Sequence, residues 1–325
     1  MTSALARQLL FQMKRIRDVE ETIAERYPEG KMRCPTHLSI GQEGVAAAVG
    51  TVLERTDLAV SSHRAHAHYL AKGGDLLRML AEIYGKATGC SRGKGGSMHL
   101  IDEEAGFMGS TSIVGGSVPI GVGLAYAAQV RRSGQVVCVF MGDAVAETGV
   151  FFESVNFAVL KRLPVLFVCE NNLYSVYSPL HVRQPAGRRI HEMVAAMGLP
   201  SSHGDGNDAR EVYAMTASGV AAIRVGGGPQ FFEFATYRWR EHCGPRYDND
   251  LGYRTEAEFL EWKEKDPIRR LEQALLAQGL LSVGEIEAMQ TDIRREVDLA
   301  FEFAERSPFP PASDYLTGLY AGAAD

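Results

Sequence analysis

Two sets of side chains that could bind a metal ion stand at the two ends of one short unit of the sequence. The stretch MGDAVAETGVFFESVNFAVLKRLPVLFVCENN begins with Gly142-Asp143 and ends with Asn171-Asn172. Carboxylate and amide oxygens suit Mg²⁺, which keeps few protein ligands and completes its shell with phosphate and water. The spacing therefore indicates a clamp for a magnesium ion that carries a diphosphate.

The elements between these residues would bring them together. Asp143 follows the apolar run VVCVFM, Asn171 comes shortly after VLFV, and a helical pattern covers 149–161. In an open α/β sheet, ligands bind beyond the carboxyl ends of the strands, where helix N-termini attract anions. A turn at Gly-Asp and a helix cap at Asn-Asn would explain each pair alone. We favour the clamp because both pairs flank one strand–helix–strand unit.

Short apolar strands alternate with helices along the chain, which predicts an α/β fold, a parallel sheet with helices on both faces. We expect a single domain over 1–325, with an N-terminal helix at about 3–26 and a helical C-terminal extension at about 256–325. The glycine- and serine-rich stretch 85–116 is predicted to be a functional loop. The other predicted helices are 41–53, 66–71, 76–84, 118–130, 149–161 and 209–223, and the predicted strands are 58–62, 136–141, 165–169 and 231–237.

The composition argues against several classes of protein. A net charge of -6 provides no basic field for nucleic acid. No apolar run approaches the roughly 20 residues that span a bilayer, and the N-terminus lacks the apolar core of a secretory signal. Five widely spaced cysteines without a C-x-x-C pair indicate reduced thiols. We therefore predict a cytoplasmic protein that binds neither nucleic acid nor membrane.

The segment GDA, a spacer of 26 residues and NN resemble the thiamine-diphosphate signature, in which GDG and NN stand at a similar distance. Over about residues 8–310, the chain resembles alpha subunits of the first component of 2-oxo-acid (pyruvate-type) and acetoin dehydrogenases. This resemblance implies the thiamin-diphosphate-binding fold, with thiamine diphosphate and magnesium as cofactors. The flanking stretches that carry it, in the family's order, are HLSIGQEG, HRAHAHYLAKG, GCSRGKGGSMHL, SIVGGSVPIGVGLAYA, TYRWREHCGPRYDNDLGYRTEAEFLEW and DPIRRL.

The resemblance implies that the segment starting at Gly142 binds the diphosphate half of the cofactor. The implied magnesium ligands are Asp143, Asn172 and the main-chain carbonyl of Tyr174. The backbone amides around Ala144 and Val145 are implied to hold the diphosphate itself.

Further site residues follow from the same resemblance. Arg64, in HRAH, matches an arginine whose planar fork pairs with diphosphate oxygens. Ser112 and Val114 match positions beside the aminopyrimidine ring, where the Val114 side chain would help to keep the cofactor bent. His242, in REHCG, and His66, in HRAH, match active-site histidines that are candidate proton carriers. Without the resemblance, either histidine would be interpreted as a structural or surface group.

Four positions depart from the family pattern. Ala144 stands where glycine is usual, and a positive φ there would cost about 1 kcal/mol. Glu147, where asparagine or serine is common, suits a helix N-terminus but would repel a diphosphate if it turned inward. His63 replaces a tyrosine. Cys243 replaces a serine that is phosphorylated in some animal relatives, so regulation by that route is not expected.

The family divides the cofactor site between two chains. The resemblance implies that a beta subunit supplies the pyrimidine side and the activating glutamate, because 325 residues hold one such α/β domain and a tail. Glu43, in GQEG, is not assigned that role, and His99 has no assigned role either. We expect two alpha and two beta subunits, and no activity from this chain alone.

Three functions remain open. The first is a dehydrogenase alpha subunit, which decarboxylates a 2-oxo acid such as pyruvate, or cleaves acetoin, and passes the acyl group to a lipoyl acyltransferase. The second is a two-subunit carboligase or transketolase-like enzyme without a lipoyl partner, favoured by the altered GDAVAETG and REHCGPRYDND segments. The third is a non-catalytic binding protein. The argument against the third is the intact set Asp143, Asn172, Arg64 and His242.

Overall fold

Six parallel strands form the central sheet of the protein. The structure, a computed structural model, describes residues 2–317. Its strands are β1 (Leu58–Ser61), β2 (Phe107–Ser110), β3 (Val137–Gly142), β4 (Val165–Asn171), β5 (Tyr174–Ser175), β6 (Ser178–Pro179), β7 (Ser201–Asp205) and β8 (Gln230–Ala235). The sheet order is β2-β1-β3-β4-β8-β7, and β5 and β6 form a separate antiparallel hairpin. The predicted parallel sheet is therefore confirmed.

Helices form the layers around this sheet. They are α1 (Ser3–Arg26), α2 (Glu43–Val52), α3 (His66–Ala71), α4 (Leu76–Ile83), α5 (Ser117–Arg131), α6 (Gly149–Lys161), α7 (Leu180–Arg183), α8 (Ile190–Ala196), α9 (Ala209–Arg224), α10 (Glu256–Glu264), α11 (Pro267–Ala277) and α12 (Val283–Arg306). Short 3₁₀ turns occur at Tyr27–Glu29, Gly96–Met98, Asp143–Glu147 and Ala312–Leu316. Among residues 2–317, no helix combines the length and the apolarity needed to cross a bilayer.

Helices cover both faces of the sheet, as the alternation along β3 demonstrates. Val137 and Val139 pack into a core that α5, α6 and α8 complete, whereas Cys138 and Phe140 point into the larger core under α1, α2, α4 and α12. All these side chains are buried. A strand buried on both faces carries a continuous apolar run, which explains why VVCVFM could be recognised in the sequence.

The sequence did not predict β2, β7 or the elements β5, β6, α7 and α8 that lie between residues 174 and 196. The stretch 85–116 is not wholly a loop, because β2 lies within it, and β7 was not predicted at all. Both are the edge strands of the sheet. Their sequences, FMGS and SSHGD, bury few apolar side chains and so lack the pattern on which strand prediction depends.

The predicted C-terminal extension is helical, but it consists of three helices rather than one. Asp266 caps α11 and Pro267 occupies its first turn, which separates α11 from α10. Gly279, with a φ of 64°, follows the end of α11. Residues 318–325 of the predicted extension lie outside the described residues.

The helix near the start of the chain packs against the helix near its end. Arg15 of α1 donates three hydrogen bonds of 2.7 to 3.1 Å to the carboxylate of Glu296 in α12. Apolar residues of both helices, including Ile16 and Ile293, are fully buried in one core. The C-terminal helices are therefore part of the main core of the molecule.

The close contact between α2 and the end of α3 yields a stability prediction. A Cβ at Gly50 would lie 2.4 Å from the main-chain oxygen of Ala71, so the backbones would have to separate. We expect Gly50→Ala to lower the free energy of unfolding by about 1–3 kcal/mol, as overpacking does. Urea unfolding would measure the change.

The matched control is Gly123→Ala in α5, where a Cβ would meet no atom within 4 Å. Without a clash, alanine in mid-helix stabilises by about 0.5–1 kcal/mol relative to glycine. Equal effects of the two substitutions would contradict the close approach.

Candidate active site

The register between β3 and β4 brings the two predicted ligand groups to one edge of the sheet. Gly142 is paired with Glu170, so Asp143 and Asn172 follow the carboxyl ends of adjacent strands. Both side chains are buried, and both line one pocket. This is the crevice position at which open α/β sheets bind ligands.

Most of the predicted cofactor-binding residues line this same pocket. The lining includes Arg64, Val114, Gly142, Asp143, Ala144, Val145, Asn172, Tyr174 and His242. It also includes residues to which the sequence assigned no role, namely Gln42, Ser62, His63, Glu170 and Ser175. Of the predicted residues, Ser112 and His66 are not in the lining.

The carboxylate of Asp143 has a positive partner that the sequence did not reveal. Arg183, at the end of α7, donates to Asp143 through one terminal nitrogen and to Glu147 through the other. Burial raises the pKa of Asp143, and the guanidinium of Arg183 opposes this rise. The side chain of Glu147 also accepts a hydrogen bond of 3.2 Å from Gln184, so it is held away from the pocket by two partners.

The turn after β4 fixes the orientation of Asn172. Its Nδ2 donates to the Oε1 of Gln42 over 3.2 Å, and its Oδ1 accepts from the backbone amide of Tyr174 over 3.2 Å. Leu173, between them, has a φ of 72°, which is uncommon for a residue other than glycine. The local backbone is therefore constrained into the shape that places Asn172 and Tyr174 side by side.

These residues fit a magnesium ion with an attached diphosphate. The donors are a carboxylate, an amide oxygen and a main-chain carbonyl, which are hard oxygen ligands. The guanidinium on Asp143 demonstrates that a cation can be placed against this carboxylate. A Cβ at Gly142 would meet no atom within 4 Å, so the pocket has open space beside the backbone where a phosphate would lie.

The alanine in the signature causes no strain. Asp143–Glu147 forms a 3₁₀ turn, in which Ala144 has an ordinary helical conformation rather than a positive φ. The cost considered from the sequence therefore does not arise. The amides of Ala144 and Val145 lie in the first turn of this short helix, where backbone N–H groups lack helical partners.

Arg64 places an un-neutralised charge at the pocket. Its terminal nitrogens donate to the main-chain oxygens of Leu38, over 2.6 Å, and His242, over 3.3 Å. Burial and the nearby Arg238 lower the pKa of Arg64 to about 10, so it still carries its charge at neutral pH. A buried cation bonded to carbonyls can attract the oxygens of a diphosphate.

Three histidines from separate segments meet beside Arg64. The ring centroid of His37 lies 4.7 Å from that of His63 and 5.0 Å from that of His242, and the last two are 5.3 Å apart. Burial and the charge of Arg64 lower the pKa of His37 to about 2, of His63 to about 4 and of His242 to about 3. At neutral pH the three imidazoles are therefore uncharged.

His66, a predicted proton carrier, contacts two side chains outside the pocket. Its Nδ1 lies 2.7 Å from the Oε1 of Glu20 in α1, and its Nε2 lies 2.7 Å from the Oγ of Ser97. The ring is fully buried, and both nitrogens are occupied. This position supports the orientation of α3 and of the loop that contains Ser97.

Glu43 also has a structural environment. Its fully buried carboxylate accepts hydrogen bonds from Arg17 and from the amide of Gly41. Glu170, which sequence reasoning missed, does line the pocket, and one of its oxygens lies 3.0 Å from the Nε2 of His68. His68 in turn lies 2.8 Å from the Oγ of Ser61 and is stacked on Phe140.

Comparison with known proteins identifies the relatives of this chain. A family model described as dehydrogenase E1 component matches residues 11–313. Pyruvate dehydrogenase E1 component subunit alpha-3, chloroplastic, from Oryza sativa subsp. japonica is 35% identical over 311 residues, 93% of this chain and 72% of the relative. Subunit alpha from Rickettsia typhi is 34% identical over 305 residues, 94% of this chain and 92% of the relative. The Porphyra purpurea subunit alpha is 35% identical over 312 residues, 94% and 90% of the two chains.

The lowered histidine pKa values predict that acid destabilises the chain through this cluster. A histidine whose pKa is lower in the folded chain contributes fully above about pH 6.5, and its contribution falls as the pH drops towards the folded value. For His63 the loss extends down to about pH 4, at up to about 1.4 kcal/mol per pH unit. We expect His63→Tyr to reduce the fall in the urea midpoint between about pH 7 and about pH 5.

The control for this measurement is His99→Gln, which replaces an exposed histidine. It should leave the pH dependence of the urea midpoint unchanged. If the urea midpoints of both His63→Tyr and His99→Gln depend on pH as that of the original chain does, the histidine cluster is not the cause of the acid destabilisation.

Proposed function

The chain belongs to the dehydrogenase E1 component family, and from this premise we propose that it acts on a 2-oxo acid such as pyruvate. It is the alpha subunit of a thiamine-diphosphate-dependent dehydrogenase, an oxidoreductase. The observation that carries the proposal is the convergence of Asp143, Asn172 and Arg64 on one pocket at the edge of the sheet. The cytoplasmic location stays a prediction.

In this proposal the pocket holds the diphosphate end of the cofactor. Asp143, Asn172 and the main-chain carbonyl of Tyr174 would bind magnesium, while Arg64 and the amides after Gly142 would contact phosphate oxygens. Magnesium would bind the carboxylate that Arg183 contacts through Oδ2, and repulsion between the two cations would favour a shift of Arg183 away from Asp143. Glu147 offers Arg183 a second anion, which lowers the cost of this shift.

When bound, thiamine diphosphate supplies the nucleophilic carbon and the electron sink that decarboxylation needs. The residues of this chain would orient it and move protons. His242 lines the pocket and is the candidate for proton transfer. Burial and Arg64 lower its pKa to about 3, so it would act there chiefly as a neutral, hydrogen-bonding imidazole. The role proposed for His66 is structural, since Glu20 and Ser97 occupy its ring nitrogens.

The pyrimidine side of the cofactor would come from a beta subunit. Val114, 43% exposed, lines the pocket at its open side, and Ile113 beside it is 67% exposed. Helices α5 and α6 also expose apolar side chains. We call this set the α5–α6 apolar face, and it consists of Tyr126, Val130, Phe157 and Leu160. Exposed apolar surface continuous with an incomplete site indicates a subunit interface. We propose that a beta chain covers it, in an assembly of two alpha and two beta subunits.

The acyl acceptor distinguishes the two catalytic alternatives. A lipoyl acyltransferase partner is proposed because the relatives are named pyruvate dehydrogenase subunits. Acetoin cleavage would use the same pocket and the same acceptor. A carboligase without a lipoyl partner remains the second candidate, because Glu147 and Arg183 alter the diphosphate end of the site.

Activity with a beta chain tests the function. We expect the reconstituted enzyme, but not this chain alone, to acylate a lipoyl domain from pyruvate in the presence of thiamine diphosphate and magnesium. Transfer to an aldehyde acceptor with no lipoyl acylation would favour the carboligase. Asp143→Asn should weaken magnesium-dependent cofactor binding by more than about 100-fold, since even outer-sphere partners of a metal contribute 10–100-fold. Asp292→Asn, at an exposed position of α12, is the control and should bind normally.

The interface is tested by a charge on the α5–α6 apolar face. Leu160 is 71% exposed, so Leu160→Glu should leave the fold of the chain intact while preventing assembly with beta chains. Sedimentation velocity of the mixed subunits would measure this. Leu299→Glu, at a 54% exposed leucine of α12, is the matched control. Normal assembly of the Leu160→Glu variant with beta chains would refute the proposal that a beta chain covers this face. A variant that loses only a pairing between two alpha chains would also refute it, because the face would then bind a second alpha chain.

A further inference from the structure

The cluster of His37, His63 and His242 has the composition of a transition-metal site. One ring nitrogen from each histidine lies within 4.8 Å of those of the other two. Three imidazoles with an open fourth position are a common ligand set for Zn²⁺. His37 comes from the segment before α2, His63 follows β1 and His242 follows β8, so the fold alone assembles the set.

A second observation indicates that the cluster lacks a ligand. The side chain of His37 is 6% exposed, and its buried Nδ1 has no hydrogen-bond partner among residues 2–317. Buried polar atoms without partners are rare, because each costs free energy that folding must offset. A metal ion, or the water bound to it, would satisfy such an atom.

From this geometry we propose that His37, His63 and His242 bind one Zn²⁺ ion, with the fourth position open to the pocket. Zinc–nitrogen bonds of about 2.0–2.1 Å require ring nitrogens about 3.3 Å apart. Zinc binding would therefore have to draw together ring nitrogens that now lie within 4.8 Å of one another. His63 and His242 line the pocket, which supplies the route of entry and the open position.

The charges around the cluster determine which metals it accepts. Burial keeps the three imidazoles neutral at pH values where they can act as ligands. Arg64 adjoins the cluster, so a purely electrostatic site for Mg²⁺ or Ca²⁺ is disfavoured there. Zinc bonds imidazole strongly enough to offset this repulsion, whereas hard cations prefer oxygen. The pocket would therefore have an oxygen site at Asp143 and a nitrogen site at the histidines.

Occupation of the cluster has a consequence for the pocket. A zinc ion on His63 and His242 would take up ring nitrogens of two imidazoles that line the pocket. It also places an ionisable water or an anion at the open position. Zinc binding would then inhibit the enzyme without displacing the ligands of the magnesium site.

The experiment titrates Zn²⁺ into the full chain near neutral pH with excess Mg²⁺ present, so that the oxygen site is filled. Calorimetry should show one zinc ion per chain, and Co²⁺ should give the visible spectrum of a tetrahedral nitrogen site. His63→Tyr, which restores the residue common in the family, should weaken zinc binding by more than about 100-fold, beyond the loss from an outer-sphere partner. Thermal unfolding in the presence of a chelator would reveal whether His63→Tyr perturbs the fold. If it does, His242→Gln is the second variant, and it should weaken zinc binding to the same extent.

Two controls separate this site from others. His99→Gln removes an exposed histidine and should bind zinc normally. Asp143→Asn should also bind zinc normally, although it loses the magnesium site. Equal zinc affinity in the original chain and in His63→Tyr would overturn the proposal, as would loss of zinc binding in Asp143→Asn. The readout is metal binding by this chain, so it is independent of the substrate and of the proposed enzymatic function.

Discussion

A carboxylate withdrawn from water requires a positive charge beside it, and Asp143 at the end of β3 is such a carboxylate. Arg183 meets this requirement through one of its terminal nitrogens, and its other terminal nitrogen binds Glu147. The same requirement is what magnesium would satisfy in a loaded enzyme. Glu147, which the sequence suggested could repel a diphosphate, is instead the second partner of the cation that neutralises Asp143. The unusual signature segment and α7 are thus one electrostatic unit.

The pocket has two chemically different sides. Asp143, Glu170 and the amide of Asn172 lie at the ends of β3 and β4, whereas Arg64, His63 and His242 come from the segments after β1 and β8. A magnesium diphosphate can bridge the two sides, because it presents a cation to the first and anionic oxygens to the second. The parallel order β1-β3-β4-β8 places both sides at the same edge of the sheet. The fold therefore supplies the charge separation before any ligand arrives.

Short-range patterns explain what could be predicted from the sequence. The apolar runs of β3 and β4, the spacing from Asp143 to Asn172 and the apolar stripe of α1 are local signals. Arg183 could not be found in this way, because its partner Asp143 is 40 residues away and α7 is a single turn. The burial of His66 depends on Glu20 of α1, and the histidine cluster joins three distant segments. Contacts of this kind are determined by tertiary packing and leave no periodic trace.

The pairing of α1 with α12 has a consequence for how the protein is made. Arg15 and Glu296 are 281 positions apart, so α1 leaves the ribosome long before its partner helix has been synthesised. During that interval the apolar stripe that includes Leu9, Met13 and Ile16 has no native cover on the α12 side. Non-local contacts of this length slow folding and expose apolar surface to other chains. The core on this side of α1 is therefore complete only after α12 has been synthesised and has docked.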